Sequence, residues 1–478
     1  MNKIRLILAI VVGKIIICLS RLLGNQGTDF PGKVARRICP GILSMLGKNV
    51  KKEIIIVTGT NGKTTTANMI AAIVRNKGCQ AVHNQAGANM ISGITTAFID
   101  SSNFLGNRPF DYAVLETDEA NVPLVAREIM PDLLLITNFF RDQLDRFGEI
   151  DTTIRVIKEA VKDTNIQLVL NGDDPLAMHF RDQDGWRCSY YGFAQTYYDT
   201  FQSVESREGR YCVFCNSELK YERYHYAQLG KYRCPSCNSQ NPEPNFIGHD
   251  LEMTSAIKMK INGMEVNSPY QGFYNAYNIL AAVSVARSVN IEDEYIQQAI
   301  ALYRPQAGRL ERFTINDRPI TLILVKNPTG LNQALSAMVN DRRVKNVFFA
   351  LNDNAADGRD ISWIWDADVE MVSRNHAGIN YVICSGQRSG DAALRFKYCG
   401  LDANRIILNN KLEEGIAETI YRESEVAYIL CTYTALFKIR KILVKMEEKG
   451  ITSWPGKREV PASIPHDTVQ VKAWERSN

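Results

Sequence analysis

The sequence lacks several features that would set its class at once. Its charge is nearly balanced, +4 over 478 residues, so no excess of one sign argues for nucleic acid. The apolar N-terminus, MNKIRLILAIVVGKIIICLSRLLG, is broken by Lys3, Arg5, Lys14 and Arg21. Its longest uncharged run, Leu6 to Gly13, is far short of the roughly 20 residues a spanning helix needs. It has no clear small-residue cleavage site, so it reads as a basic amphipathic helix that packs on its own domain or lies on a membrane surface. Histidine is scarce, at six residues, and low-complexity segments and internal repeats are missing. Cysteine is present, at eleven residues, but not as a disulfide framework. Four cysteines form two CxxC units and seven are scattered, which fits a reducing compartment and a metal site.

What is present is an ordinary globular composition, 45% hydrophobic and 23% charged, with apolar mass for two or three domains. From Glu53 the pattern runs strand, glycine turn, helix. Strand-like runs recur at YAVL (112–115), LLLIT (133–137) and QLVL (167–170), with helical patterns between them. A second alternating section carries TLILV (321–325), NVFFAL (346–351), YVICSG (381–386) and VAYILC (426–431). Strands alternating with helices predict parallel sheets covered on both faces, in two α/β domains.

GTNGKTTT, residues 59–66, follows the strand IIIV and opens a helix. That is the setting of a phosphate loop. The backbone N–H groups of Gly59, Thr60, Asn61, Gly62 and Thr65 and the helix N-terminus face an anion. Lys63 supplies a point charge and Thr64 a magnesium ligand. The usual pattern has glycine at position 57, where this chain has Val57.

This loop form resembles that of the Mur ligase family, ATP-dependent enzymes that join a carboxylate to an amine. Further stretches resemble the family's motifs and follow in its order: LETDEA (115–120), TNFFRDQLDRFGE (137–149), NGDDP (171–175), GFYNAYNILAA (272–282) and GRLER (308–312). The resemblance implies ATP binding with Mg2+. It implies Glu116 as second magnesium anchor beside Thr64, Asn275 as reader of the adenine, and Arg309 on phosphate. Asn138 falls in the TN segment and is expected at substrate or phosphate. Glu119 either shares the metal or starts the next helix. The implied fold is α/β: a Mur ligase-type parallel-sheet ATPase domain with a zinc-ribbon insert, then a second, Rossmann-like domain. The expected bounds are 1–48 for a helical segment, 49–311 for the ATP-binding domain with its insert at about 205–245, 312–450 for the C-terminal domain, and 451–478 for a loosely ordered tail.

The chain departs from the family in three places. Only about 50 helical residues precede the loop, too few for a domain that holds a nucleotide-linked precursor. Gln143 stands where the family's segment has histidine. The C-terminal histidine-containing motif is replaced by LVKNPTG (324–330), with Lys326, Asn327 and Pro328 at a strand end, where α/β sheets place ligands. Lys326 is a candidate for substrate or phosphate, or a simple turn residue. Together with HNQAGANM (83–90) and DNAADGRDISWIWD (353–366), these motifs resemble one branch of the family, the ligase-like subunits of lipid II isoglutaminyl synthase. That resemblance implies amidation of the D-glutamate α-carboxylate in the stem peptide of lipid II, during peptidoglycan synthesis. It also implies a partner, a GatD-type glutamine amidotransferase that delivers ammonia.

CVFC (212–215) and CPSC (234–237) give the spacing CxxC–x18–CxxC. Cys212, Cys215, Cys234 and Cys237 therefore predict a closed tetrahedral Zn2+ site, a structural zinc ribbon with no open position for catalysis. A nucleic-acid-binding ribbon is the rival reading. His225, between the pairs, is expected as a surface or packing residue.

The chain shows no glutaminase of its own. None of His83, His179, His225, His249, His376 and His466 pairs convincingly with a cysteine in a nucleophile turn. A partner holding cysteine and histidine would still need a carboxylate to orient the histidine. DNAADGRD follows the strand NVFFAL, and within it Asp357, just before Gly358, is the chosen catalytic residue. Asp353 and Asp360 are second choices, expected to cap the turn or pair with Arg359. Trp363 and Trp365 are expected in packing or at the partner interface. Two other functional readings stay open: a Mur or folylpolyglutamate-type ligase that adds a free amino acid without a partner, and a non-catalytic ATP-binding scaffold.

Overall fold

A computed structural model of the chain describes residues 2–23, 27–85, 88–140, 150–181, 186–201, 208–254, 256–304, 309–354, 356–374 and 378–449. The expected tail, 451–478, lies outside them. Apolar runs make the strands, because alternate or continuous burial of Ile, Leu and Val contributes roughly 1.5–3 kcal/mol per side chain. In chain order these are β1 (Val50–Thr58), β2 (Ala81–His83), β3 (Phe110–Glu116), β4 (Leu133–Ile136), β5 (Gln167–Asn171) and β6 (Arg187–Phe193). A separate hairpin, β7 (Lys220–Tyr226) with β8 (Leu229–Arg233), interrupts the series before β9 (Phe246–Met253), β10 (Ile257–Ile261) and β11 (Met264–Ser268).

The first sheet has nine strands in the order β11-β10-β9-β6-β5-β4-β1-β3-β2. Every pairing from β2 to β9 is parallel, and β9, β10 and β11 pair antiparallel at the far edge. β1 lies between β3 and β4, so the chain order reverses around it. α/β sheets bind ligands at such a reversal. The register sets Val57 opposite Glu116. The end of β1 and the acid that closes β3 therefore emerge together.

Helices cover both faces. Lys63–Asn76 and Phe273–Ser288 pack one face through Met69, Ile70, Ile73, Ile279 and Val283. The N-terminal helices and Ile91–Ser101 pack the other through Ile10, Ile17, Ile94 and Phe98. The first helix, Asn2–Leu22, thus packs on its own domain, and Gly13 lies so close to Ile99 that an added Cβ would come within 3.0 Å of it. Its opposite face leaves Ile4, Leu8, Ile15, Leu19 and Leu22 exposed. Among the described residues no helix is long and apolar enough to cross a membrane.

The second sheet starts at Arg309. Its strands are β12 (Arg309–Ile315), β13 (Arg318–Leu324), β14 (Lys345–Ala350), β15 (Ile379–Ser385), β16 (Ile406–Leu408) and β17 (Val426–Cys431). Their order is β12-β13-β17-β14-β15-β16, parallel except for the β12 edge. Because β13, β17 and β14 are parallel neighbours, the segments that follow them leave the same edge. Those segments carry Lys326 and Asn327, DNAADGRD, and Thr432 to Thr434.

Candidate active site

Val57 is buried inside β1, so the missing glycine lies in the strand and the loop itself begins at Gly59. Gly59 and Gly62 have φ of 115° and 86°, which favour glycine. There is also no room for a side chain. An added Cβ would lie 2.4 Å from Thr137 Oγ1 at Gly59 and 2.1 Å from Asn278 Oδ1 at Gly62. Gly62 is the residue before the helix Lys63–Asn76, whose first turn carries Lys63, Thr64 and the buried Thr65.

Asn138 fixes the loop from β4. Its Oδ1 accepts from Asn61 N (3.0 Å), its Nδ2 donates to Asn61 O (3.1 Å), and its carbonyl accepts from Thr60 N (2.9 Å). The Thr137 hydroxyl donates to Asn61 O (2.7 Å) and the Thr60 hydroxyl to Phe140 O (3.0 Å). Asn138 is thus a clamp on the phosphate loop. The rest of that segment, 141–149 with Gln143, lies outside the described residues. One polar atom of the loop, Asn61 Nδ2, is buried without a hydrogen-bond partner. An orphaned donor in a glycine cradle is what an anion-binding loop has before its ligand arrives.

The metal-anchor candidates meet. The Thr64 hydroxyl donates to Glu116 Oε1 at 3.0 Å. Asn84 holds the Glu116 backbone, accepting from its N–H (2.9 Å) and donating to its carbonyl (2.7 Å). Lys63 Nζ lies 3.0 and 3.2 Å from the two oxygens of Glu119 and also donates to Gly59 O at 2.6 Å. Both side chains are about 5% exposed. Burial pushes the Glu119 carboxyl up, and Lys63 opposes it. Glu119 also opens a short 3-10 turn capped by Asp118. It therefore both starts the next helical segment and serves as counter-ion to Lys63.

A cleft lies beside the loop, between the two sheets' domains. Asn61, Gly62, Asn138 and Asn278 line it on one side, and Lys326, Asn327 and Gln333 on the other. The domains touch here: Asn327 Nδ2 donates to Asn61 Oδ1 at 3.1 Å. Asn327 also caps the helix Pro328–Asn340, accepting from Gly330 N at 2.8 Å. Burial, and after it the Glu116 carboxylate, push the phenol of Tyr433, which follows β17, up.

Two expected contacts are not among the cleft's described lining. Asn275 is buried and is not among the described residues lining the cleft; its Nδ2 donates to Gln271 O (2.8 Å) and its Oδ1 accepts from Asn278. Asn278, one helical turn on, lines the cleft instead. Both asparagines share one helix face, so spacing alone does not choose between them. Arg309 opens β12, but its side chain lies outside the described residues. Leu324 and Gly330 also line the cleft, as do Tyr274, Tyr277, Phe140, Tyr226 and Leu229. Sequence reasoning missed them. The aromatic clustering of GFYNAY was the available signal for Tyr274 and Tyr277, and nothing local marked Tyr226 and Leu229.

Asp357 is 3% exposed. Its Oδ1 accepts from Thr434 N (2.7 Å), and its Oδ2 accepts from the Thr434 hydroxyl (2.6 Å) and from Asn354 Nδ2 (3.2 Å). It ties the loop after β14 to the helix Tyr433–Lys449 after β17. Asp353 pairs with Arg388 at 2.7 Å, and Asp360 caps Ser362 N at 2.8 Å. Gly358 turns at φ 87°. Trp363 is buried, whereas Trp365 is 48% exposed with the Arg395 guanidinium 5.2 Å from its ring centre.

The sulfurs of Cys212, Cys215, Cys234 and Cys237 all lie within 4.8 Å of one another. Cys212–Cys237 and Cys215–Cys234 are 3.6 and 3.4 Å apart. Four thiolates about 2.3 Å from one ion lie about 3.8 Å from each other, so the cluster fits a tetrahedral metal. Each pair is followed by asparagine at positive φ, Asn216 at 58° and Asn238 at 60°. Their N–H groups return to Cys212 O (2.8 Å) and Cys234 O (3.1 Å), closing two equivalent knuckles. His225 is a packing residue, buried against Phe273 and 2.7 Å from Asp199, not on the surface.

Comparisons with known proteins agree with this architecture. Residues 57–286 match the family model of the Mur ligase middle domain, and 324–436 that of the MurT ligase C-terminal domain. The chain is 35% identical over 432 residues to the lipid II isoglutaminyl synthase (glutamine-hydrolyzing) subunit MurT of Staphylococcus aureus strain COL, covering 90% of this chain and 96% of that one. It is 37% identical over 432 residues to the subunit of the same name from Streptococcus pneumoniae R6, covering 90% and 94%. Among solved structures, a pseudomurein peptide ligase type C from Methanothermus fervidus superposes with a TM-score of 0.65 at 23% identity, over 84% of this chain and 80% of that chain. MurF from Acinetobacter baumannii superposes with 0.62 at 15% identity, over 87% and 81%, which gives the fold alone. The phosphate loop, the two α/β domains and the identities agree: this chain belongs to the MurT family, with the Mur ligase fold.

Proposed function

We propose that this chain is the ATP-dependent ligase subunit that amidates the D-glutamate α-carboxylate of the lipid II stem peptide, with ammonia from a GatD-type glutaminase subunit. The observation that carries the reading is the placement of Lys63 and the Thr64–Glu116 pair at the start of the loop's helix, with the second domain's Asn327 bonded to Asn61 of the same loop. The names of the relatives support the substrate and the nitrogen source.

In this reading a substrate carboxylate oxygen attacks the γ-phosphorus of ATP and ADP leaves. Ammonia then attacks the acyl carbon, phosphate leaves, and the nitrogen loses a proton to give the amide. Lys63 and the loop N–H groups hold the phosphates where charge develops. Thr64 and Glu116 would hold Mg2+, which neutralises phosphate charge when bound. Lys326 is assigned to substrate or phosphate, Arg309 to phosphate, and Asn275 to the adenine, together with Asn278, which donates to it and lines the cleft. The four cysteines would hold Zn2+ as a structural ion. Asp357 is assigned to the partner's histidine, supported by its place on the edge where the parallel strands end. A peripheral membrane contact through residues 1–24 is supported by the exposed apolar face of the first helix.

The test uses the purified chain, ATP, Mg2+ and lipid II, with ammonium or with glutamine, each with and without the glutaminase subunit. Mass spectrometry of the stem peptide reads carboxyl-to-amide conversion. Conversion with ammonium alone, but with glutamine only when the partner is present, is the expected result. Addition of a free amino acid, or ATP binding with no conversion, would sink the proposal.

A further inference from the structure

We infer that the cysteine-bearing insert is part of the nucleotide site: the side chains of Tyr226 and Leu229, at the tip of its hairpin, form the wall against which the purine ring of ATP lies. The inference rests on the proposed ATP reading and extends it to residues that lie outside the ligase motifs.

Tyr226 and Leu229 are register partners on β7 and β8, on either side of a two-residue turn. Cross-strand partners project to the same face of a hairpin. Ala227 in the turn has φ 49°. That face lines the cleft together with Phe140, Tyr274, Tyr277 and Asn278. Phe140 meets Tyr226 edge to face at 6.3 Å. The phosphates have their own place at the Gly62–Lys63 helix start, so the aromatic part of the cleft is left for a flat, weakly polar ring. A nucleobase is such a ring, and aromatic side chains bind it by stacking and apolar contact.

The tip is built in and does not dangle. Gln228 Nε2 donates to Phe139 O (2.6 Å) and to Asp174 Oδ1 (3.1 Å). Gly230 N donates to Asp173 O (3.0 Å), and an added Cβ at Gly230 would lie 2.3 Å from Arg223 O. The Tyr221 hydroxyl donates to Gln228 O (3.0 Å). Asn241 Nδ2 bridges Gly230 O (2.8 Å) and Gly172 O (3.0 Å). The hairpin's other end is where the cysteines sit: Cys215 precedes β7, and Cys234 directly follows β8. A metal there closes the base of the same hairpin whose tip forms the wall. The cysteine site therefore supports nucleotide binding as well as the insert's own fold.

The experiment measures binding of ATP and of inorganic tripolyphosphate, both with Mg2+, to the full chain by calorimetry, with zinc content read by elemental mass spectrometry. Tripolyphosphate has no base, so it reports the phosphate loop alone. Tyr226→Ala and Leu229→Ala are each expected to weaken ATP by about tenfold, to leave tripolyphosphate unchanged and to keep the metal. Wild-type chain stripped by a chelator and returned to Mg2+ is expected to show the same selective loss, restored by zinc. Unchanged ATP affinity in both variants would overturn the inference, as would parallel loss of both ligands. Full ATP affinity in the stripped chain would overturn the part assigned to the cysteines. A wild-type chain that binds neither ligand would overturn the ATP reading itself, and this inference with it.

Discussion

Replacing Asp357 by Asn separates the two halves of the proposed reaction. The carboxylate accepts from Thr434 N, the Thr434 hydroxyl and Asn354 Nδ2, with a longer contact from Asn354 N at 3.3 Å. An asparagine can keep its oxygen toward Thr434 N. Its NH2 group then faces Asn354 N and the Thr434 hydroxyl, which lose this acceptor, and Asn354 Nδ2, which keeps Thr434 Oγ1 at 2.9 Å. Lost bonds to a charged acceptor cost roughly 2 kcal/mol in total here, since the residue sits in a loop that relaxes. The chain should stay folded with a lower melting temperature. Glutamine-dependent amidation should fall by about three to four orders of magnitude, the scale for removing the carboxylate that orients a catalytic histidine. Ammonium-dependent amidation should stay within about twofold, since ammonia bypasses the glutaminase. Thr434→Val is the control: it removes one anchor and leaves the charge. The assay is mass spectrometry of lipid II with the two nitrogen sources, beside a melting curve. Equal loss in both reactions would place Asp357 in the ligase itself, and loss in neither would leave it a structural turn residue. The same glutamine-specific loss in Thr434→Val would show that loop position, not the carboxylate's charge, is what matters.

Lys63→Met should lower ATP turnover by at least about a hundredfold. It should also destabilise the chain by roughly 3 kcal/mol, because it strands the buried Glu119; Lys63→Met with Glu119→Gln should recover the melting temperature but not the turnover. His83 is buried between Val114 O and Asn68, and burial holds its imidazole down to about 4. The unfolded chain binds that proton near pH 6.5 and the folded chain does not, so stability is full above pH 6.5 and falls by up to about 3 kcal/mol as pH drops to 4. The stability gap between wild type and His83→Gln in urea unfolding should therefore narrow across that window. Leu8→Glu with Ile15→Glu, on the exposed face of the first helix, should abolish co-sedimentation with vesicles containing anionic lipid and leave lipid-free ATP turnover unchanged; equal sedimentation of variant and wild type would dismiss the membrane contact.

Much of the site was legible because its chemistry is local. The phosphate loop, Glu116 at a strand end and the cysteine spacing each need a short stretch of chain and one element boundary. The runs EIIIV, YAVL, LLLI and QLVL fall on β1, β3, β4 and β5 for the same reason: a buried parallel strand is apolar along its whole length. What was not legible depends on contacts distant in sequence. Glu119 pairs with a lysine 56 positions earlier. The contact of Asn278 with Gly62 joins residues 216 positions apart. The burial of Asp357 comes from Thr434, on a segment 77 positions later. Tyr226 and Leu229 are placed by a hairpin whose docking partners, Phe139 and the Asp173–Asp174 turn, belong to other strands.

Under the proposed ATP reading, the Lys63–Glu119 pair makes nucleotide binding an exchange of anions. Before a phosphate arrives the lysine already has a carboxylate, so the pair is neutral and has little pull on stray phosphate or sulfate. In that reading a nucleotide phosphate competes with Glu119 for the ammonium. When phosphate and ADP leave, the same carboxylate can take the lysine back.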